Sequence, residues 1–119
     1  MHSPQRSTPD PLAAALRRKA QRGENGANTS TVVAAGEGWQ VVDMVCTSGP
    51  RDRPFEERQA AVAISLVLSG TFVYRTDRSS SLMSSGALVL GNVGQTFECS
   101  HEHGEGDRLF YTRIQTVYE

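Results

Sequence analysis

Gln95-Thr96-Phe97-Glu98-Cys99-Ser100-His101-Glu102-His103-Gly104-Glu105-Gly106-Asp107-Arg108 is the stretch on which the fold turns. Read as a strand over residues 95–103, its side chains alternate between two faces. Phe97, Cys99, His101 and His103 share one face, and Thr96, Glu98, Ser100 and Glu102 share the other. Phe97 and Cys99 make the first of these the core face. Two imidazoles aimed at an interior need partners, because a buried polar ring left without one costs about 1–3 kcal/mol. A metal ion, a carboxylate or a bound small molecule could supply them. Residues 104–106 then read as a glycine turn.

Working outward, the same texture of short β-type runs with Gly, Ser, Asp and Asn between them extends back to Thr31. Runs are predicted over 39–47, 60–69, 71–76, 87–90, 95–103 and 108–117, the pattern of an all-β sandwich or barrel. The run over 60–69 alternates large Val62, Ile64, Leu66 and Leu68 with Ala61, Ala63, Ser65 and Val67, as expected of a central strand with a tightly packed back. Gly91-Asn92-Val93-Gly94 resembles part of a phosphate loop, but no helical pattern follows it, so it reads as a turn.

Residues 1–30 differ, being rich in Ser, Pro, Gln, Arg, Gly and Asn. They are expected to form a disordered leader with one short helix. Asp10 suits the N-cap, Pro11 the first turn, and Arg17, Arg18, Lys19 and Arg22 the C-terminal end of the dipole. With only Leu12 and Leu16 as large apolar residues, that helix should be frayed and solvated. The chain thus divides into a leader, 1–30, and one β domain, 31–119.

Formal net charge is −1, and a single lysine accompanies eleven arginines. That balance offers no basic face for nucleic acid, so no direct nucleic-acid binding by this chain alone is expected. No run is long and apolar enough for a membrane span, and Leu12 and Leu16 precede the positive charges, the reverse of a secretory signal. A cytoplasmic protein with Cys46 and Cys99 as reduced thiols is the expectation.

Two long blocks carry a family resemblance: residues 45–58, including Gly49-Pro50-Arg51-Asp52-Arg53-Pro54-Phe55-Glu56-Glu57, and residues 101–108, His101-Glu102-His103-Gly104-Glu105-Gly106-Asp107-Arg108. Together with residues 64–75, they resemble the amino-terminal cupin of AraC-type transcription regulators over most of residues 37–108. The resemblance implies a double-stranded β-helix, or jelly-roll barrel. It also implies a small-molecule effector, a homodimer, and a helix-turn-helix half that the 119 residues do not contain. Gln59 departs from the pattern, standing where the family usually has a histidine. The expected function is therefore a ligand-sensing and dimerisation module without its DNA-reading half. The alternatives are a small metal cupin enzyme of the oxygenase or isomerase class, or an inactive degenerate copy.

The candidate effector site combines Trp39, Phe72, Tyr74 and Phe97 as aromatic walls with His101 and His103 as polar anchors; the same aromatics also serve as plain core. For a divalent metal (Zn, Fe or Mn) the candidates are His101, His103, Cys99 and Asp107, with Cys46 able to complete a Cys/His set. No later histidine follows His103, so a metal enzyme lacks a usual ligand and no cofactor is the default. Without metal, the imidazoles would hydrogen-bond Asp107 and Glu105 or cap the glycine loop. The charged cluster Arg51, Asp52, Arg53, Glu56, Glu57 and Arg58 reads either as a clamp for an anion or partner or as a solvated loop. No nucleophile elbow surrounds any serine, no catalytic residue is assigned, and enzymatic activity is not expected.

Overall fold

Strand alternation decides where everything lies. The computed structural model describes residues 10–23, 25–52 and 56–114. One helix, α1 (Pro11–Arg22), precedes nine strands: β1 (Asn28–Gly36), β2 (Trp39–Cys46), β3 (Glu56–Arg58), β4 (Val62–Gly70), β5 (Phe72–Arg75), β6 (Ser80–Met83), β7 (Leu88–Gly91), β8 (Thr96–Ser100) and β9 (Asp107–Ile114). They form two antiparallel sheets, ordered β1-β2-β9-β4-β7 and β3-β8-β5-β6. The large sequence jumps between neighbours, such as β2 to β9 and β3 to β8, give the jelly-roll topology expected from the sequence.

The six predicted runs correspond to β2, β4, β5, β7, β8 and β9. Three strands were not foreseen: β1, β3 and β6. The β1 strand begins at Asn28, inside the expected leader, and is exposed along its whole length. The disorder expected of residues 1–9, like the end of the last run over 115–117, lies outside the described residues.

The expected helix forms with its expected cap. The Asp10 side chain accepts from Leu12 N, Pro11 opens the first turn, and Gly23 ends it in the left-handed region at φ 63. It is not, however, a solvated helix. Leu12 and Ala15 are buried against Val45, with Leu16 packed beside them. At its far end Lys19 Nζ donates to Thr47 O at 2.7 Å and to Asp52 Oδ2 at 3.1 Å. Two leucines one turn apart were enough because they meet a matching strand face.

Register fixes which side of each strand faces inward. Ser65 pairs with Tyr111, Tyr111 with Val42, Leu109 with Met44, and Asp107 with both Cys46 and Gly70. These positions face the second sheet, from which Phe72, Tyr74, Phe97 and Cys99 point back. On β4 it is the small residues, Ala63, Ser65 and Val67, that are buried, while Ile64 and Leu66 lie outward and more than a third exposed. Trp39 pairs with Ile114, which pairs with Val62, so it belongs to that outer face and is 44% exposed.

A cavity with a thiol, an imidazole and a carboxylate

Small residues on the inner face of β4 leave space between the sheets. The result is a cavity of about 320 Å³. Its walls include Phe72, Tyr74, Val89, Phe97 and Leu109, and its polar lining includes Cys46, Gln59, Ser65, Cys99, His101, Asp107 and Tyr111. Tyr74 and Phe97 stack with centroids 5.3 Å apart, and Phe72 tilts against the His101 ring at 6.4 Å. Of the aromatic residues expected to form the site, Phe72, Tyr74 and Phe97 are brought together. Trp39 is not, because its register places it on the opposite side of the sheet.

The two histidines part company. The β8 strand ends at Ser100, and residues 101–106 turn toward β9, so His103 no longer follows strand alternation. Its Nε2 meets Thr71 Oγ1, and its Nδ1 accepts from Glu105 N at 3.1 Å, which caps the glycine turn. His101 turns inward. Its Nε2 lies 2.9 Å from Asp107 Oδ2 and 3.5 Å from Cys46 Sγ, and its side chain is only 8% exposed.

Cys46 arrives there by pairing. It ends β2 directly opposite Asp107, which opens β9, so both side chains share one face. Facing residues on adjacent antiparallel strands have Cβ atoms about 4.5–5.5 Å apart. Two glycines permit the approach. A Cβ on Gly70 would lie 2.2 Å from Gly106 O, and one on Gly106 would lie 2.6 Å from Cys46 O, with φ at 82 and 70. Both positions therefore require glycine on conformation and on space.

The electrostatics are those of a half-satisfied cluster. Asp107 beside the ring, and Cys46 next to it, pull the His101 pKa up to about 10 against the opposing effect of burial. The Asp107 Oδ2 contact is an ion pair with His101 Nε2 at 2.9 Å rather than a well-aligned hydrogen bond. Tyr74 Oη is likewise buried without an aligned partner, although Gln59 is near enough to ease its ionisation. Burial pushes the Cys99 thiol up to about 12, helped by Glu57 and Asp107. Burial also raises Glu57, Tyr74 and Tyr111. Buried polar atoms without aligned partners are few in folded proteins, and Tyr74 Oη needs one from water or a bound molecule.

Ligating atoms of Cys46, His101 and Asp107 all lie within 4.8 Å of one another, so these three groups could hold a metal ion. The set differs from the one expected. His101 and Asp107 are retained, Cys46 rather than Cys99 supplies the sulfur, and His103 is engaged elsewhere. Gln59 and Tyr111 had no place in the expected site. Tyr111 Oη donates to Gln59 Oε1 at 3.2 Å, and Gln59 is 7% exposed. Alternation along residues 108–117 could have marked Tyr111 as inward, because it shares parity with Asp107.

No family model and no curated protein matches the chain. Solved structures do. A protein of unknown function from Rhizobium leguminosarum aligns with a TM-score of 0.67 at 19% identity, covering 94% of this chain and 100% of that one. The EutQ protein of Clostridium difficile aligns at 0.63 with 16% identity, over 78% of this chain and 71% of that one. A cupin-2 domain protein from Shewanella frigidimarina aligns at 0.61 with 12% identity, over 83% and 92%. At these identities the likeness concerns architecture alone, and with the two-sheet topology it makes the fold that of a cupin-type jelly roll.

Proposed function

We propose that this chain is the effector-sensing and dimerisation module of an AraC-type transcription regulator, acting by reversible binding of a small molecule between its two sheets. One observation carries this: a cavity of about 320 Å³ walled by Phe72, Tyr74 and Phe97, with Tyr74 Oη buried in it without an aligned partner among the described residues. Small-molecule sites commonly have about 300–1,000 Å³, apolar walls and a few fixed polar groups. The ligand this fits is small and flat enough to lie against Phe72, Tyr74 and Phe97, with a hydrogen-bonding group for Tyr74 Oη. The resemblance of residues 45–58 and 101–108 supplies the regulator assignment.

The outer face of the five-stranded sheet suits a second copy of the chain. Trp39, Ile64, Leu66, Leu88, Leu90 and Ile114 are all more than a third exposed there. The charges on that face are already matched, Arg108 forking onto Asp43 at 2.8 and 3.0 Å. At about 4.8 Å between strands and about 3.4 Å per residue, β9, β4, β7 and the first half of β2, whose other end α1 covers, present roughly 400 Å² in flat projection. Specific interfaces start at roughly 600 Å² of accessible surface per partner. Such a face is seldom left open on a monomer.

Anilinonaphthalene sulfonate, a fluorescent probe of apolar cavities, tests the site in the presence of a chelator. Saturable binding of one probe per chain is expected, lost in Ser65→Phe, which fills the cavity, and retained in Leu90→Arg. Loss in Leu90→Arg with retention in Ser65→Phe would place the probe on the outer face and overturn the proposal. Leu66→Arg should convert a dimer to a monomer in sedimentation; a wild-type monomer at high micromolar concentration contradicts the pairing. The chain alone should give no salt-sensitive, sequence-selective gel shift with duplex DNA.

A further inference from the structure

The cluster on the cavity wall goes beyond effector binding. We propose that Cys46, His101 and Asp107 together bind one divalent cation of borderline-soft character, zinc being the best match, through Sγ, Nε2 and Oδ2.

Distances make the case first. A tetrahedral ion with bonds of about 2.0–2.3 Å to nitrogen, oxygen and sulfur has ligand-to-ligand edges of about 3.3–3.6 Å. The Sγ to Nε2 separation is 3.5 Å and the Nε2 to Oδ2 separation is 2.9 Å, with all three atoms inside 4.8 Å. The Sγ to Nε2 edge already fits, the Nε2 to Oδ2 edge needs to open by a few tenths of an ångström, and the Sγ to Oδ2 edge, within 4.8 Å, closes onto the ion.

Asp107 supplies an independent observation. It is 3% exposed, and among the described residues its Oδ2 is held by a single partner, His101 Nε2 at 2.9 Å, in an ion pair without hydrogen-bond alignment. A carboxylate this deeply buried is costly to keep unless it is well paired, and one poorly aligned contact is less than a metal ion would give it. A metal ion lying between the three groups replaces the imidazolium as partner of Oδ2, binds the deprotonated imidazole nitrogen and takes the thiol as thiolate, and the protons of the imidazolium and of the thiol both pass to solvent. Thiolate with imidazole selects zinc-like ions over magnesium or calcium, which prefer oxygen-only shells.

Backbone construction supports a fixed site. Cys46 and Asp107 are register partners on neighbouring interior strands, and Gly70 and Gly106 allow the strand ends to approach closely around them. Only His101 comes from a loop, and it lies just past the end of β8. Three protein donors leave a tetrahedral ion one position for water or a bound molecule.

Cobalt(II) titration of the chelator-treated protein tests this, because a thiolate ligand produces a charge-transfer band in the near ultraviolet that oxygen and nitrogen ligands do not. One equivalent should produce the band, and zinc should abolish it by displacement. Cys46→Ser should lack the band and Asp107→Asn should weaken binding at least tenfold, whereas His103→Ala and Cys99→Ser should keep both. Circular dichroism identifies any variant that fails to fold, and the near-isosteric Asp107→Asn then decides. No band at one equivalent, a band surviving Cys46→Ser, or a band lost only in Cys99→Ser would overturn the proposal. The probe experiment is read with chelator present, so failure here leaves the effector cavity standing, and failure there leaves the ion site standing.

Discussion

Replacing Asp52 should unfasten three parts of the molecule at once. Its Oδ1 accepts from Gly26 N at 2.8 Å, and its Oδ2 accepts from Gly49 N at 2.8 Å and from Lys19 Nζ at 3.1 Å. One carboxylate thus joins the end of α1, the segment entering β1 and the loop after β2. Hydrogen bonds to a charged group are worth about 1.5–3 kcal/mol each when buried. The Asp52 side chain is 17% exposed and that of Lys19 25%, so the lower figure applies to the two backbone bonds, and the ion pair adds about 0–1 kcal/mol. Asp52→Ala should therefore cost about 3 kcal/mol, and Asp52→Asn, which keeps one acceptor, about half of that. The measurement is urea unfolding followed by far-ultraviolet circular dichroism at neutral pH. Acid gives a second reading. The bonds from Gly49 and Gly26, followed by Lys19, hold the Asp52 pKa below its ordinary value near 3.8. A carboxylate whose pKa is lower folded than unfolded contributes its stabilisation above the unfolded value and loses it as pH falls through the folded one. Wild type should thus lose its advantage over Asp52→Asn below about pH 4. A loss under 1 kcal/mol for Asp52→Ala, or an advantage over Asp52→Asn undiminished in acid, would refute this reasoning.

Two further outcomes follow from packing and ionisation. Leu12→Ala should cost about 2–3 kcal/mol, because Leu12 is 7% exposed against Val45, and should speed hydrogen exchange throughout α1; unchanged exchange would show that the leucine does not hold the helix. Cys99, its pKa pushed up to about 12, should be alkylated by iodoacetamide at pH 8 more than about a hundredfold slower than free cysteine. Peptide mass spectrometry reads the rate, and one within tenfold of the free thiol would contradict the buried, carboxylate-flanked setting.

Elements whose information is local were legible in the sequence. Alternation along residues 60–69 announced β4, and Asp10, Pro11 and the αL glycine Gly23 framed α1. The β1 strand was missed because both of its faces are exposed and its polar start, Asn28 to Ser30, continues the composition of the leader. The β3 and β6 strands span three and four residues, too few for a period to show. What could not be seen was long-range register. That Cys46 faces Asp107 across β2 and β9 is a fact about pairing over 61 positions of sequence, so Cys99 stood first among the sulfur candidates and Cys46 only as its complement. The same ignorance put Trp39 inside, because a strand's alternation tells which residues share a face but not which face is inward. His103 was drawn into the site by extending alternation past Ser100, where the glycine turn had already begun to bend the chain.

The central claim is that the molecule receives its ligand between the sheets, and methyl-resolved NMR tests it most directly. Met44, Val89 and Leu109 line the cavity, whereas Ile64, Leu66, Leu88 and Leu90 lie on the outer face, more than a third exposed. Titrating anilinonaphthalene sulfonate into methyl-labelled protein should shift the first three signals, with the outer four unmoved or changing only with protein concentration. Saturable shifts confined to Ile64, Leu66, Leu88 and Leu90, with Met44, Val89 and Leu109 unmoved, would contradict an interior site.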